Sequence, residues 1–144
     1  MKPLFHNCWT LPLFLAMTMS AASASADVVV VVSARSEITR LTAEQVTRIF
    51  LNKVDTFPNG AQAVPVDQAE GNAIRDEFYS RVVNKSSSQL NAYWAGIVFT
   101  GDGRPPKLLE GDTAVRKAVA SNPNAIGYID KSAVDSSVRV ILAP

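Results

Sequence analysis

Apolar residues run continuously in some segments of this chain and recur at helical spacing in others. Five consecutive valines occupy positions 28–32. A continuous β-branched run is typical of a strand covered on both faces, so this segment predicts a central strand of a parallel or mixed sheet. A shorter apolar segment, 63–66, predicts a second strand, and Pro65 indicates a strand end or a sheet edge. Two further strands are predicted within 122–130 and 137–143.

Four segments have the apolar spacing of amphipathic helices. The first starts at Thr42, which is placed to form a capping box with Gln45. The second covers 72–83, the third follows the serines at 86–88, and the fourth runs from 112 or 113 to about 120. The residues predicted to face the core are, in chain order, Val46, Ile49, Phe50, Ile74, Phe78, Tyr79, Val82, Val83, Leu90, Tyr93, Trp94, Ile97, Val98, Val115 and Val119.

The order of these elements is strand, helix, strand, three helices, strand, strand. It predicts a single α/β domain with a mixed sheet and helices on both faces. The stretches 59–60 and 100–107 are predicted to be turns, and the second lacks the Lys-Ser/Thr end of a nucleotide-binding loop. Gly127, inside a strand, predicts a neighbour packed closely against the backbone.

The first 26 residues have the pattern of a secretory signal peptide. Lys2 precedes the apolar run 11–19, and small residues up to Ala26 follow it. The run is shorter than a membrane-spanning helix, so a retained anchor is the less favoured alternative. We therefore expect cleavage after Ala26, a periplasmic or otherwise exported protein without a membrane span, and one α/β domain over residues 27–144.

Charge and residue usage argue against several classes of function. The 14 Lys and Arg residues and the 13 Asp and Glu residues balance once Lys2 leaves with the signal peptide. This balance argues against nucleic acid or an anionic membrane surface as a partner. Cys8 and His6 also lie in the signal segment, so the mature domain has no disulfide, Cys nucleophile, Ser-His-Asp triad or Cys/His zinc site. We expect no enzymatic activity, no cofactor and no metal.

The stretch 65–82 has the order strand end, turn and helix, in which many proteins hold an anion at backbone N–H groups. Its candidate ligand-binding residues are Gln68, Gly71, Asn72 and Arg75. Asp67 and Glu70, at the expected exposed corner of the turn, oppose an anion. The favoured interpretation is that these carboxylates cap the helix and that one of them pairs with Arg75. The alternative is a reorganised site for a polar or cationic solute.

A second candidate group, Arg35 and Ser36, directly follows the first predicted strand. Ligands of open α/β sheets bind beyond the carboxyl ends of the strands, so these two residues are candidates for binding an anion. A solvated loop arginine is the simpler interpretation, because binding sites are few among surface charges.

Four segments together resemble the periplasmic phosphate-binding proteins of ABC transporters. They are "LTAEQVTRIFLNK", the strand-turn-helix that begins at Val64, "YWAGIVFTGDGRPP" and "NPNAIGYI". The resemblance implies one lobe of the type II periplasmic-binding-protein fold, whereas a full-length member of that family has two lobes that close on phosphate. The family's second phosphate loop reads Arg, three residues, then Ser-Gly-Thr. Here Val66 takes the place of the arginine and Glu70-Gly71-Asn72 that of Ser-Gly-Thr, so only Gly71 is retained.

The resemblance implies an exported solute-binding-type protein that holds a ligand at helix N-termini without covalent chemistry. The ligand it implies is phosphate or another small solute, and the partner is an ABC transporter permease or another envelope protein. The alternative function is a ligand-free module, derived from one lobe, that binds a partner or assembles in the cell envelope. Association of two copies to replace the missing lobe is a third alternative.

Overall fold

A five-stranded mixed sheet forms the centre of the molecule. The structure, a computed structural model, describes residues 26–144, so the predicted signal peptide lies outside the described residues except for Ala26 and stays a prediction. The strands are β1 (Val28–Ser33), β2 (Val64–Gln68), β3 (Lys107–Leu109), β4 (Ala125–Asp130) and β5 (Val138–Leu142). Their order across the sheet is β3-β2-β4-β1-β5.

The direction of β1 differs from that of the other four strands. β2 runs parallel to both β3 and β4, whereas β1 runs antiparallel to both β4 and β5. The carboxyl ends of β2 and β4 therefore lie at one edge of the sheet, and the carboxyl end of β1 lies at the opposite edge. This difference separates the two candidate groups that the sequence indicated.

The helices cover both faces of the sheet, as predicted. They are α1 (Ala43–Phe50), α2 (Ala73–Phe78), α3 (Ser87–Thr100) and α4 (Gly111–Ser121), and a π-helical turn (Tyr79–Val83) continues α2. The predicted capping box of α1 is confirmed, because Thr42 accepts a hydrogen bond from Gln45 N and Gln45 accepts one from Thr42 N. No helix among the described residues is long and apolar enough to cross a membrane.

Two apolar cores lie on opposite faces of the sheet, and β1 contributes to both. Val28, Val30 and Val32 pack in the larger core with α1, α2 and the first half of α3. Val29 and Val31 pack in the smaller core with residues of α4. This alternation confirms the prediction of a strand buried on both faces.

The smaller core also explains Gly127 of β4. A Cβ atom at this position would lie 2.6 Å from Val115 Cγ1 and 3.1 Å from Val119 Cγ2. The predicted close packing is therefore confirmed, and the two valines are the predicted inward residues of α4, both fully buried.

Pro65 lies where the sequence placed a strand end. β2 is an interior strand, but its pairing with β3 begins one residue later, at Val66. Pro65 pairs with β4 on the other side. Pro65 therefore lies near the amino end of β2, and the strand continues to Gln68, two residues beyond the predicted segment. The missing N–H of proline leaves no ladder position on β3 unfilled.

Two details of the α3–β3 region were predicted wrongly. Val98 was predicted to face the core, but it is 57% exposed, because the buried residues of α3, Leu90 and Trp94, lie in its earlier turns. β3 begins at Lys107, inside a stretch predicted to be a turn. Three partly exposed residues at a sheet edge carry no apolar alternation from which a strand could be recognised.

Candidate functional site

The candidate site lies at the carboxyl end of β2, where the strand passes into α2. Asp67 and Gln68 end the strand and are 2% and 0% exposed. Gly71 has a φ of 84°, a left-handed conformation that suits glycine, and it turns the chain toward the helix. Asn72 caps α2 by accepting a hydrogen bond from Ile74 N at 2.9 Å.

The Asp67 carboxylate is surrounded by hydrogen-bond donors. Oδ1 accepts hydrogen bonds from the Tyr128 hydroxyl and, at 2.8 Å, from Gln68 N. Oδ2 accepts one from the Tyr79 hydroxyl at 2.5 Å and lies 3.7 Å from Arg75 Nη1. Arg75 Nη1 also donates to Gln68 O at 2.7 Å. The buried negative charge is thus paired and hydrogen-bonded, as buried charges in proteins must be.

The two tyrosines remain hydrogen-bond donors at any ordinary pH. Burial, and then the negative charge of Asp67, raise the pKa of the Tyr79 and Tyr128 hydroxyls far above their usual value near 10. Because burial is the larger cause for both, each hydroxyl keeps its proton as long as the core is intact.

Aromatic packing holds these hydroxyls in place. The Phe78 ring stacks on Tyr128 with centroids 4.0 Å apart and an interplanar angle of 7°, and Tyr79 meets Phe78 edge-on at 5.1 Å. The guanidinium carbon of Arg75 lies 5.2 Å from the centroid of the Tyr79 ring. The π-helical turn starts at Tyr79, so the change of helix geometry coincides with the residue that reaches Asp67.

The side chain of Gln68 connects the turn to β4 and α4. Its Nε2 donates to Tyr128 O and to Asp112 Oδ1, both at 2.9 Å, and its Oε1 accepts from Asn72 Nδ2 at 2.8 Å. The side chains of Gln68, Asn72 and Arg75 are therefore brought together, as the sequence suggested. Gln68 and Asn72 bond to each other, and Arg75 Nη1 bonds to the backbone of Gln68, so all three side chains support the turn.

An open cleft of about 280 Å³ borders this network. It is lined by Asp67, Glu70, Arg75, Asn91, Trp94, Pro105 and Leu108. Glu70 and Asn91 are exposed, whereas Trp94 is buried and forms part of the wall. The cleft offers a solute an apolar wall, an amide and a carboxylate. Among residues 26–144, no group of three or more His, Cys, Asp or Glu is arranged to hold a metal ion.

Arg35 and Ser36 lie at the opposite edge of the sheet and do not join this site. Arg35 Nη2 donates to the carbonyl oxygens of Ala120 and Ser121, at 3.3 and 3.2 Å, at the end of α4. Ser36 Oγ accepts a hydrogen bond from Ile38 N at 3.1 Å. Because β1 is antiparallel to β4, its carboxyl end cannot meet that of β2, so the six predicted residues form two groups.

The roles predicted for the two carboxylates need correction. Asp67 was expected at an exposed corner of the turn, but it is buried, and neither it nor Glu70 caps α2, because Asn72 does. The predicted ion pair of Arg75 with one of them is confirmed for Asp67. Tyr128 was not singled out from the sequence. A tyrosine inside an apolar strand signals a buried hydroxyl that needs a partner, and this signal could have identified it.

Comparison with known proteins identifies the fold. No protein-family model matches the chain, and no curated protein sequence matches it significantly. A solved structure from Clostridium perfringens, assigned as a phosphate ABC transporter substrate-binding protein and containing bound phosphate, is 23% identical with a TM-score of 0.63. An ABC-type phosphate transport receptor from Vibrio cholerae is 20% identical with a TM-score of 0.64, and PstS from Borrelia burgdorferi is 12% identical with a TM-score of 0.60.

Each of these three similarities covers 81% of this chain but only 44%, 45% and 46%, respectively, of the solved chains. The chain therefore spans less than half the length of the structures that it resembles. Identities below a quarter, with TM-scores above 0.5, establish a shared fold. This protein has the α/β fold of a periplasmic-binding-protein lobe, as found in the substrate-binding proteins of phosphate ABC transporters.

Proposed function

We propose that this chain is an exported, non-enzymatic solute-binding-type protein that resembles the substrate-binding component of phosphate ABC transporters. In this proposal the protein acts in the periplasm, holds a small solute without covalent chemistry, and works with an ABC transporter permease. The fold supports the binding role, because the solved proteins that share it are named for phosphate transport and binding. The predicted signal peptide supports the location.

The observation that carries this proposal is the cleft at the carboxyl end of β2. Open α/β sheets bind ligands beyond the carboxyl ends of their strands, and the cleft lies at that edge, between the β2–α2 turn and α3. Its volume of about 280 Å³ suits a small solute.

The groups that would contact the solute differ from those that the sequence suggested. Gln68, Asn72 and Arg75 support the turn through their internal hydrogen bonds. Glu70 and Asn91 remain at the mouth of the cleft, beside the wall formed by Trp94. Phosphate would meet the negative charges of Glu70 and Asp67 in this cleft, whereas an uncharged or cationic solute would not be repelled.

The test is a binding screen with the purified protein at constant ionic strength. Phosphate, other anions, small cations and amino acids are each added while the thermal midpoint of unfolding is measured. A solute at about 100 times its dissociation constant adds about 2.7 kcal/mol of stability, which shifts the midpoint of a domain of this size by several degrees. Isothermal titration of any solute that produces such a shift then gives its affinity and stoichiometry.

A pair of α3 variants localises the binding to the cleft. Asn91→Tyr places a ring in the cleft and is expected to abolish the shift, whereas Ala92→Tyr, at the next exposed position of α3, is expected to retain it. Equal binding by both variants would place the solute elsewhere. A flat response of the unmodified protein to every solute would contradict the proposed function.

A ligand-free partner-binding module of the cell envelope is the second candidate, and the exposed apolar residues near α3 favour it. Phe99 is 91% exposed, and Val98 and Leu108 are 57% and 53% exposed. Single exposed apolar residues are ordinary, but a group of them often marks a protein-binding surface. Cross-linking in intact cells tests this candidate. Phe99→Ser is expected to remove the cross-linked species, whereas Val140→Ser, on β5, is expected to leave it. If the unmodified protein forms no cross-linked species, this candidate function is rejected.

A further inference from the structure

We propose that Asp67 is an internal anion: its carboxylate occupies a ready-made anion site and thereby excludes free anions from the cleft. The proposal rests on the proposed function in one respect, since it assigns a solute class to the same cleft. With Asp67 in place, the cleft accepts uncharged or cationic solutes and rejects phosphate.

The donors around Asp67 are those of an anion-binding site. Two phenolic hydroxyls, of Tyr79 and Tyr128, one backbone N–H, of Gln68, and the guanidinium of Arg75 converge on a single carboxylate. Charge-assisted hydrogen bonds and guanidinium groups are what proteins use to hold carboxylates and phosphates. Here the protein supplies the anion itself.

The position of Asp67 makes this site reachable from solvent. Asp67 and Arg75 both line the cleft, so the donor cluster lies directly behind it. Asp67 is 2% exposed and lines the cleft, and the proposal places its carboxylate between the cleft and the donors. Removing the carboxylate would leave a space of matching size that opens on the cleft.

The donors persist when the carboxylate is removed. Burial is the largest cause of the raised pKa of both tyrosine hydroxyls, so they stay protonated without Asp67. Arg75 keeps its charge and its hydrogen bond to Gln68 O. A shortened side chain at position 67 thus leaves an unfilled anion site with a net positive charge.

Formate is the probe that tests the proposal, because it replaces the deleted carboxylate group atom for atom. The thermal midpoint of Asp67→Ala is measured with increasing sodium formate, against sodium chloride at the same ionic strength. We expect the variant to be destabilised in chloride and its midpoint to rise by about 5–10 °C at a formate concentration of about 100 times the dissociation constant. The unmodified protein is expected to give no formate-specific shift, and sodium phosphate is tested in the same way.

Glu70→Gln is the matched control, because it removes one negative charge from the same cleft without uncovering a donor. We expect no formate-specific shift in this variant. An equal shift in Glu70→Gln and Asp67→Ala would overturn the proposal, because the net charge of the cleft, and not the donor cluster, would then determine formate binding. A folded Asp67→Ala that ignores formate and phosphate would overturn it as well.

Asp67→Ser decides the case in which Asp67→Ala does not fold at any formate concentration. It removes the carboxylate and so opens the site, but it keeps one hydroxyl that can accept a hydrogen bond from the surrounding donors, so formate is expected to shift its midpoint and not that of the unmodified protein. A folded Asp67→Ser without this gain would overturn the proposal. Phosphate-specific binding by the unmodified protein would also overturn this proposal, but it would leave the proposed function intact. A formate-specific shift in Asp67→Ala, together with no solute bound by the unmodified protein, would support this proposal and contradict the proposed function.

Discussion

An arginine lies at each of the two opposite ends of the sheet, but the two arginines have different surroundings. At the carboxyl end of β2, Arg75 is 8% exposed and faces a buried carboxylate, the ring of Tyr79 and a backbone carbonyl. At the carboxyl end of β1, Arg35 is exposed, and its guanidinium donates only to the carbonyl oxygens that end α4, among the described residues. The first arrangement is a buried network in which each member depends on the others. The second is a surface contact that water can replace.

This difference shows why similar residues at strand ends can have unequal consequences. A buried charge that loses its partner cannot be solvated, so removing the partner costs several kcal/mol of stability. An exposed cation at a helix C-terminus contributes a few tenths of a kcal/mol, because water and salt screen it. The network at β2 should therefore respond strongly to single substitutions, and the contact at β1 should not.

Arg75→Met is expected to produce the largest loss of stability. The substitution leaves the Asp67 carboxylate buried without its cation, and breaking a buried pair typically costs about 3–5 kcal/mol. We expect the lower end, about 3 kcal/mol, because the tyrosine hydroxyls continue to bond to the carboxylate. Equilibrium unfolding in urea measures it. A loss under about 1 kcal/mol would mean that the two arginines are equivalent.

Tyr128→Phe is expected to cost about 1–3 kcal/mol, because it removes a donor from the buried Asp67 and an acceptor from Gln68 N. Tyr93→Phe is the matched control, since its hydroxyl donates to Leu51 O at 2.6 Å in a partly buried position. We expect about 1 kcal/mol for the control. Urea unfolding of both variants compares them, and equal losses would argue against a special role for the charged acceptor.

Alkaline pH is expected to lower the free energy of unfolding through Tyr79 and Tyr128, because their hydroxyls ionise in the unfolded chain but stay protonated in the folded protein. The folded state raises the pKa of Tyr79 and Tyr128 above the unfolded value near 10, so their contribution is complete below that value and is lost as the pH rises above it. Each tyrosine contributes a slope of up to about 1.4 kcal/mol per pH unit. Urea unfolding between pH 9 and about 11.5 should show a decline that is shallower in Tyr128→Phe. An unchanged slope in that variant would contradict the assignment.

Arg35→Met is expected to have the smallest effect, about 0.5 kcal/mol or less, because the guanidinium is exposed and bonds only to helix-end carbonyls among the described residues. Arg104→Met, on the exposed stretch before β3, serves as a control for the loss of one surface charge. Urea unfolding at low and high salt measures the loss of stability in each of the two variants. A loss approaching that of Arg75→Met would remove the distinction between the two edges.

Much of the fold could be predicted because its signals are local. The valine run of β1, the capping box at Thr42 and Gln45, and the inward valines of α4 each depend on a few neighbouring residues. The candidate site was predicted less completely. Gln68, Asn72 and Arg75 were recognised as a group, because strand end, turn and helix start are adjacent in sequence. The burial of Asp67 was not recognised, because its partner Tyr128 lies 61 residues away in the sequence.

The sequence by itself determined the α/β class, the two-faced burial of β1 and the close packing at Gly127, because periodicity and side-chain size are properties of short segments. Only the tertiary structure decided that β1 runs against its neighbours, which separates Arg35 and Ser36 from the β2 edge. It also decided that the polar groups of the turn bond inward. Strand direction and hydrogen-bond partners depend on residues distant in sequence, and a pattern of local spacing carries no information about them.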